Sequence, residues 1–335
     1  MRPYLTKELL MMKPNMKQTL FSVPKPLIQP IERVESRSYP PETEAYFTHY
    51  GLACSPDILH WFGSFSSGSY QLAAHLYQPP HPKAAVILLH GYLNHTGQFR
   101  HILAYLLENG YAAAVFDLPG HGLSTGQMSR IDHVEEYTHA LLDFLTILPS
   151  RLNGPYHAIG FSLGAAILAD ALLTGQADSF DRVVLAAPLI RWNGYHPSKN
   201  TYKIYRRFTD RIRRVPQRNS SDQKYLLFNR TQDYLHASSV SLCWVKALFD
   251  WNDKIEKLPP TDKEIFILQG DRDRTVDWRY NLTLLTQKFP SSQLQIIPGA
   301  RHELFNEAPL YREPVLQAVR NYLQKGAPSF SAQNP

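Results

Sequence analysis

The sequence predicts an α/β fold with a mostly parallel sheet flanked by helices and an inserted helical cap. Short apolar runs, such as residues 84–89 and 112–116, alternate with helix-like stretches along most of the chain. Strands that are buried on both faces and separated by amphipathic helices are typical of a parallel sheet covered by helices. The alternation stops between Ala187 and Glu264, where no clear strand pattern occurs. We expect the cap in that interval.

The individual elements follow in chain order. Two aromatic and apolar runs, residues 58–65 and 70–77, flank Ser66-Ser67-Gly68-Ser69 and predict a β-hairpin. Further strands are predicted over residues 84–89, 112–116, 156–160, 183–186, 265–268 and 294–297. Helices are predicted over residues 97–109, 134–148, 163–174, 279–288 and 314–323.

This pattern divides the chain into four parts. The proline-rich residues 1–45 indicate an irregular arm with a short helix near residues 7–12. The core is predicted over residues 46–188 and 261–328, and the helical cap lies between them over residues 189–260.

Composition excludes several classes of protein. The chain is 44% apolar and 19% charged, which is typical of a globular protein and not of a disordered one. Cys54 and Cys243 are far apart and form no Cys/His pattern, so we expect two buried thiols, no disulfide framework and no metal site. The first apolar run, residues 9–12, is too short for a secretory signal, and no stretch approaches the roughly 20 apolar residues of a membrane span. We therefore expect a cytoplasmic protein.

A candidate nucleophile lies between a predicted strand and a predicted helix. Gly160-Phe161-Ser162-Leu163-Gly164 has the G-x-S-x-G pattern, which by itself also occurs as an ordinary glycine-flanked turn. In a strand-turn-helix context this pattern is typical of a nucleophile elbow, because the glycines allow a strained turn that exposes the serine hydroxyl. We interpret Ser162 as the nucleophile.

Serine needs a base within hydrogen-bond reach and an acid that orients this base. His302 follows the last predicted strand, at the same sheet edge as Ser162, and is the candidate base among fourteen histidines. The acid should follow the preceding strand, where Asp271 and Asp273 are both available. We favour Asp273, because Asp271 is placed to bond its own turn backbone.

Two backbone N–H groups are candidates for an oxyanion hole. Leu163 begins the predicted helix after Ser162. Its N–H is therefore expected at the helix N-terminus, the positive end of the helix dipole, where it can stabilise an oxyanion. The second N–H is expected from Tyr92, in the loop after the strand at residues 84–89. His90 and His121 lie near this edge as well, and we expect both to have structural roles.

With these residues assembled, the chain resembles the α/β-hydrolase superfamily, specifically the monoacylglycerol lipase and lysophospholipase group and its bacterial lysophospholipase L2-like members. The matching pieces are His90-Gly91, Asp117-Leu118-Pro119-Gly120-His121-Gly122-Leu123-Ser124, Gly160 to Gly164, Gly270 to Val276, and Gly299 to Glu307. The resemblance implies the α/β-hydrolase fold and a triad of Ser162, Asp273 and His302, with Tyr92 and Leu163 as oxyanion donors. It also implies hydrolysis of a fatty-acyl ester of a monoacylglycerol or lysophospholipid without metal or cofactor. Tyr92 stands where the family often has a small residue.

The positive charge is concentrated in one segment. Eleven Lys and Arg residues lie between Arg191 and Arg230, against Asp210 and Asp222. Residues 202–215 predict a helix with Tyr205, Phe208, Ile212 and Val215 on one face. A basic amphipathic helix favours peripheral contact of the protein with the inner face of an anionic membrane. The alternative is a helix whose apolar stripe packs on the core. No nucleic-acid recognition motif matches.

Three functions are compatible with these residues. The first is a serine esterase that acts on a lipid-like substrate through an acyl-enzyme on Ser162. The second is an esterase, thioesterase or peptidase of the same fold that acts on a soluble substrate, which a triad alone does not exclude. The third is a non-catalytic binding module, which the complete set of Ser162, Asp273 and His302 disfavours.

Overall fold

The computed structural model describes residues 26, 28–34, 39–215 and 217–324. Its main sheet has eight strands in the order β1-β2-β4-β3-β5-β6-β9-β10. Their bounds are β1 Leu59–Ser67, β2 Tyr70–Gln78, β3 Ala85–Leu89, β4 Ala112–Phe116, β5 Tyr156–Phe161, β6 Arg182–Ala186, β9 Phe266–Gly270 and β10 Gln293–Ile297. The pairs β1–β2 and β2–β4 are antiparallel, and the remaining pairs of this sheet are parallel. The predicted hairpin and mostly parallel sheet are confirmed.

Helices cover both faces of this sheet. Including those of the cap, the helices of the described residues are α1 Pro41–Tyr50, α2 Arg100–Glu108, α3 Glu135–Ile147, α4 Leu163–Leu173, α5 Tyr195–Tyr205, α6 Gln223–Thr231, α7 Leu242–Ile255, α8 Trp278–Lys288 and α9 Pro309–Leu323. The central strands β3 and β4 are buried along their whole length, because helices pack on either side of them. The fully buried α4 packs on one face together with α3, and α2 and α9 pack on the other.

The interval between β6 and β9 forms the cap. It contains α5, α6 and α7, together with a small antiparallel hairpin of β7 Arg211–Arg213 and β8 Ser239–Ser241. Helix α7 is amphipathic and packs on the sheet's helical layer, where the indole N–H of Trp251 donates to the buried Asp170 carboxylate over 2.9 Å. The boundary of the cap at residues 189–260 stays a prediction.

The predicted helix over residues 202–215 is wrong. Helix α5 ends at Tyr205, a turn follows, and Arg211 to Arg213 pair with the segment Ser239–Ser241 as β7. Tertiary contacts override the local helical pattern, because the Arg211 guanidinium donates to the backbone oxygen of Met128 over 2.5 Å and to Ser129 Oγ over 3.0 Å. Phe208 and Val215, expected on one apolar stripe, are 83% and 76% exposed.

The N-terminal arm differs from its prediction at its end. Residues 41–45 are helical, since α1 begins at Pro41, a favourable first residue of a helix. The helix predicted near residues 7–12 lies outside the described residues. Cys54 and Cys243 are unpaired and only partly buried, so the expectation of two buried thiols is wrong.

Candidate active site

Ser162 lies on a strained turn between β5 and α4. Its backbone has φ 53° and ψ −108°, a combination that is rare for a residue with a side chain. Gly160 and Gly164 permit the turn: a Cβ atom on Gly160 would collide with the backbone of Gly164, and one on Gly164 would collide with the backbone of Leu89. This close packing holds the serine hydroxyl at the carboxyl edge of the sheet.

The structure brings Ser162, His302 and Asp273 together. His302 Nε2 lies 3.0 Å from Ser162 Oγ, and its Nδ1 lies 2.7 Å from Asp273 Oδ2. All three residues are buried. Because Nδ1 bonds Asp273, the imidazole is oriented with Nε2 facing the Ser162 hydroxyl. General-base activation of a serine requires this arrangement.

Several donors hold the Asp273 carboxylate. Oδ1 accepts from the backbone N–H groups of Thr275, at 2.8 Å, and Val276, at 3.2 Å, while Oδ2 accepts from Gln269 Nε2 at 3.0 Å. Burial raises the pKa of Asp273, but its bond to His302 and these donors outweigh burial and leave the pKa below its ordinary value. Burial likewise lowers the pKa of His302, and the Asp273 charge more than offsets it, so the pKa of His302 is raised.

Asp271 has a different environment. Its Oδ1 accepts from the backbone N–H of Gly299 over 2.7 Å, which joins the loop after β9 to the loop after β10. Asp271 therefore braces the loop that carries His302, whereas the sequence predicted a bond to its own turn.

Tyr92 and Leu163 are both near Ser162. Leu163 is the first residue of α4, and the first N–H groups of a helix have no partner within it. The loop of Tyr92 lies against Ser162, because a Cβ atom added to Gly91 would be 3.2 Å from the Ser162 Cβ. The Tyr92 ring stacks on Trp244 at 3.5 Å, and its hydroxyl donates to the backbone oxygen of Ser129 over 2.8 Å. The large side chain thus anchors its loop to the cap.

His90 and His121 bond the surrounding backbone. His90 Nε2 accepts from the Leu118 N–H over 3.0 Å, so that Nδ1 carries the proton and donates to the Gly91 oxygen over 2.8 Å. His121 Nδ1 lies 2.9 Å from the Pro119 oxygen. Burial lowers the pKa of both imidazoles to about 3.

The sequence reasoning missed a buried hydrogen bond between an aspartate and a histidine beside the site. Asp233 in the cap bonds His95 Nε2 at 3.0 Å, and both side chains are fully buried. The carboxylate also accepts from Gln98 Nε2 at 2.9 Å and from the Tyr50 hydroxyl at 3.0 Å. One cap residue therefore joins α1 and the segment that follows the Tyr92 loop. Asp233 stands in no motif, and His95 lies only three residues after Tyr92.

Two further carboxylates stand in the matching pieces of the sequence but were given no role there. Asp117 accepts from the backbone N–H groups of Thr96 at 2.7 Å and Leu123 at 2.8 Å, and so links the loops after β3 and β4. Glu303 is buried directly after His302 and accepts from the side-chain amide of Asn219 over 3.0 Å. Its position next to His302 was the only indication in the sequence.

Ser162 opens into a cavity of about 370 Å³ beneath the cap. Its apolar lining comes mainly from cap residues and includes Leu189, Trp192, Leu242, Trp244 and Val245. Polar and charged side chains, among them Asn94, Arg214, Asn219 and Glu303, also line the cavity. The cavity is large enough for part of an amphiphilic molecule, with the reacting atom at Ser162.

In the described ranges, no group of three or more His, Cys, Asp or Glu side chains is arranged to hold a metal ion. Within the same ranges, no helix is both long and apolar enough to cross a membrane.

Comparisons with known proteins identify relatives of this chain. Residues 80–309 match the family described as Serine aminopeptidase, S33. The chain is 24% identical to human monoglyceride lipase over 76% of this chain and 86% of that protein. It is 23% identical to a probable lysophospholipase L2 of Haemophilus influenzae over 84% of this chain and 98% of that protein.

Solved structures show the same fold. A soluble variant of monoglyceride lipase from Saccharomyces cerevisiae aligns with a TM-score of 0.68 at 18% identity, over 78% of this chain and 94% of that one. Monoacylglycerol lipase from Paleococcus ferrophilus aligns with a TM-score of 0.66 at 22% identity, over 75% and 98%. The predicted fold and resemblance are confirmed, and the chain belongs to the serine aminopeptidase S33 family of α/β hydrolases, within the group of the monoacylglycerol lipases and lysophospholipases.

Proposed function

We propose that this hydrolase cleaves a fatty-acyl ester of a lysophospholipid or monoacylglycerol through an acyl-enzyme on Ser162. The observation that supports this most directly is the chain of contacts from Asp273 through His302 to Ser162 Oγ at the floor of a partly apolar cavity. The relatives named as monoglyceride lipase and lysophospholipase support the choice of a lipid ester over a peptide.

The first half-reaction is acylation. Ser162 Oγ attacks the ester carbonyl while His302 Nε2 takes its proton, and the negative oxygen of the tetrahedral intermediate is stabilised by the N–H groups of Tyr92 and Leu163. The intermediate collapses when His302 returns the proton to the leaving alcohol. Asp273 stabilises the charged imidazole and holds its orientation throughout.

The second half-reaction releases the acid. Water takes the place of the alcohol, His302 removes its proton, and the hydroxide attacks the acyl carbonyl. Collapse of the second intermediate returns the proton to Ser162 and frees the fatty acid. No step requires a metal or cofactor.

A fluorophosphonate probe and Ser162→Ala test the nucleophile. We expect covalent labelling of the wild-type protein and none of Ser162→Ala. Ser198→Ala is the matched control, because Ser198 also lines the cavity but its hydroxyl donates to the Tyr195 backbone over 2.6 Å. Equal labelling of the wild type and Ser162→Ala would refute the acyl-enzyme.

A substrate panel tests the lipid assignment. Monoacylglycerols and lysophospholipids of one acyl chain are compared with short p-nitrophenyl esters and an aminoacyl anilide. We expect kcat/KM to be highest for the long-chain lipids, because the apolar cap residues line the site. A clear preference for the short esters or the anilide would support a soluble substrate instead.

We also propose peripheral contact with an anionic membrane through the outer face of the cap. The cap surface, defined as Lys203, Ile204, Tyr205, Arg206, Arg207, Phe208 and Val215, combines exposed apolar side chains with basic ones. Val215 belongs to both this surface and the cavity lining, so the surface adjoins the cavity. Basic residues attract anionic head groups while apolar side chains enter the interface, which would bring lipid to the cavity. The cytoplasmic location stays a prediction.

A further inference from the structure

The charged part of the cavity lies beside the triad. Apart from His302, the charged side chains that line it in the described residues are Arg213, Arg214 and Glu303. In the proposed reaction the leaving alcohol receives its proton from His302, so the head group of the substrate lies on the His302 side. Glu303 is adjacent to His302 in the chain, and the Arg214 charge acts electrostatically on both residues. This charged part is therefore next to the head group.

Neutral side-chain amides donate hydrogen bonds to both oxygens of the Glu303 carboxylate. Oε1 accepts from Asn94 Nδ2 at 3.4 Å and from Asn219 Nδ2 at 3.0 Å, and Oε2 accepts from Asn306 Nδ2 at 3.3 Å. The carboxylate is buried, and these three amides stabilise it, with no cation of the described residues in hydrogen-bond contact. Glu303 therefore offers a ligand little free acceptor capacity.

Arg214 is a partly buried cation with a neutral neighbour. Its backbone N–H donates to Ser238 over 3.0 Å, and one terminal nitrogen of its guanidinium contacts His236 Nε2. Arginine has only donors, so His236 Nε2 accepts and this imidazole is neutral. Within the described ranges no carboxylate oxygen lies within 4.0 Å of the Arg214 guanidinium. Burial lowers the pKa of Arg214, with the Glu303 charge acting in the opposite direction.

A partly desolvated cation in a cavity wall favours binding of an anion. Leaving it without an oppositely charged partner is unfavourable, and a bound anion supplies that partner. The guanidinium presents a planar fork of donors that matches two phosphate oxygens. Arg213 is an exposed second cation beside it in the lining.

We propose that Arg214, assisted by Arg213, binds the phosphate of the leaving group, so that the preferred substrates are lysophospholipids and not monoacylglycerols. This inference rests on the proposed esterase activity of Ser162. It adds a head-group subsite to that activity. The phosphate remains uncleaved: it leaves with the glycerol when the acyl ester bond breaks.

Two lipids that differ only by a phosphate test the subsite. Lysophosphatidic acid and 1-monoacylglycerol of the same acyl chain are presented in neutral detergent micelles, and kcat/KM is measured for each. We expect the wild type to prefer the phosphate-bearing lipid. Arg214→Gln should lower kcat/KM for that lipid by about 10- to 100-fold, the usual effect of losing a hydrogen bond to a charged group, and leave monoacylglycerol hydrolysis within about threefold.

The controls separate recognition from folding. Arg213→Gln changes an exposed residue and should give a smaller loss in the same direction, which keeps the test valid if Arg214→Gln perturbs the contact with His236. Arg230→Gln removes an exposed cap charge outside the cavity and should leave both substrates unaffected. The rate of fluorophosphonate labelling reports whether Ser162 remains intact in each variant.

Product inhibition distinguishes a head group from free phosphate. With monoacylglycerol as substrate, sn-glycerol 3-phosphate should inhibit the wild type more strongly than glycerol or inorganic phosphate does, and Arg214→Gln should remove this difference. Equal losses on both lipids in both arginine variants, or inhibition by inorganic phosphate without any lipid preference, would overturn the subsite. An unlabelled, inactive wild type would instead refute the proposed function.

Discussion

Asp273 and Asp271 lie two residues apart, yet only Asp273 bonds His302. Asp273→Asn should reduce kcat by about 10⁴-fold, as loss of the orienting acid does in serine proteases, while Asp271→Asn retains most of the activity. Both substitutions preserve shape, so steady-state kinetics on one ester compares their chemistry directly. A larger loss of kcat in Asp271→Asn than in Asp273→Asn would show that Asp271, and not Asp273, is the orienting acid.

The pH profile gives this assignment a second readout. His302 must be neutral to accept the serine proton, so kcat/KM falls as pH decreases through the pKa of His302. Asp273 raises that pKa. Its replacement by Asn should therefore move the acidic limb of the residual kcat/KM to lower pH. An unshifted limb would show that Asp273 does not act through His302.

The cap is joined to the core by the buried hydrogen bond between Asp233 and His95. His95 Nδ1 accepts from the Gly97 N–H over 3.1 Å, so Nε2 carries the proton that bonds Asp233. Asp233→Ala should lower the free energy of unfolding by about 3 to 5 kcal/mol, because it leaves the donors of His95, Gln98 and Tyr50 without their acceptor, at about 1 to 3 kcal/mol each. Asp210→Ala, at an exposed cap position, should change it by less than about 0.5 kcal/mol. Urea denaturation of the three proteins measures the difference.

The same pair has a defined pH dependence. Burial raises the pKa of Asp233, but His95 and the other donors outweigh burial and place the pKa well below the ordinary value of 3.8. A carboxylate with a depressed folded-state pKa stabilises the protein above its unfolded pKa and loses this contribution as pH falls through the folded value. The stability gap between wild type and Asp233→Ala should thus be constant above about pH 5 and shrink below about pH 4. A gap that widened in acid would contradict the ionised carboxylate.

The segment between α5 and β8 marks the limit of local prediction. Residues 202–215 have a helical spacing of apolar side chains, but Arg211 to Arg213 form β7 instead. This strand is stabilised by pairing with β8 and by the hydrogen bond from Arg211 to the Met128 backbone oxygen. The spacing of apolar residues predicts only the local secondary structure of a segment. It contains no information about pairing with a strand that lies elsewhere in the chain.

For the molecule as a whole, strand order in the sequence was sufficient to predict that Ser162, Asp273 and His302 come together. Ser162, Asp273 and His302 each follow a parallel strand, and carboxyl ends of parallel strands meet at one edge of the sheet. The links between cap and core were not predictable in this way. Asp233 reaches His95 across 138 positions, and neither residue belongs to a strand-end motif, so only the docked cap brings them together.

The docked cap also determines which surface could meet a membrane. Ile204→Ser with Phe208→Ser should weaken sedimentation with anionic vesicles by at least about 100-fold, since each buried apolar side chain contributes about 1.5 to 3 kcal/mol. Arg206→Gln with Arg207→Gln should weaken it by about 30-fold at low salt, at about 1 kcal/mol for each charge, and have little effect on neutral vesicles. Leu310→Ser is the matched control, because Leu310 is 75% exposed on α9, outside the cap. If Leu310→Ser reduces binding as much as the cap variants do, the contact is nonspecific and the cap does not orient the protein on the membrane.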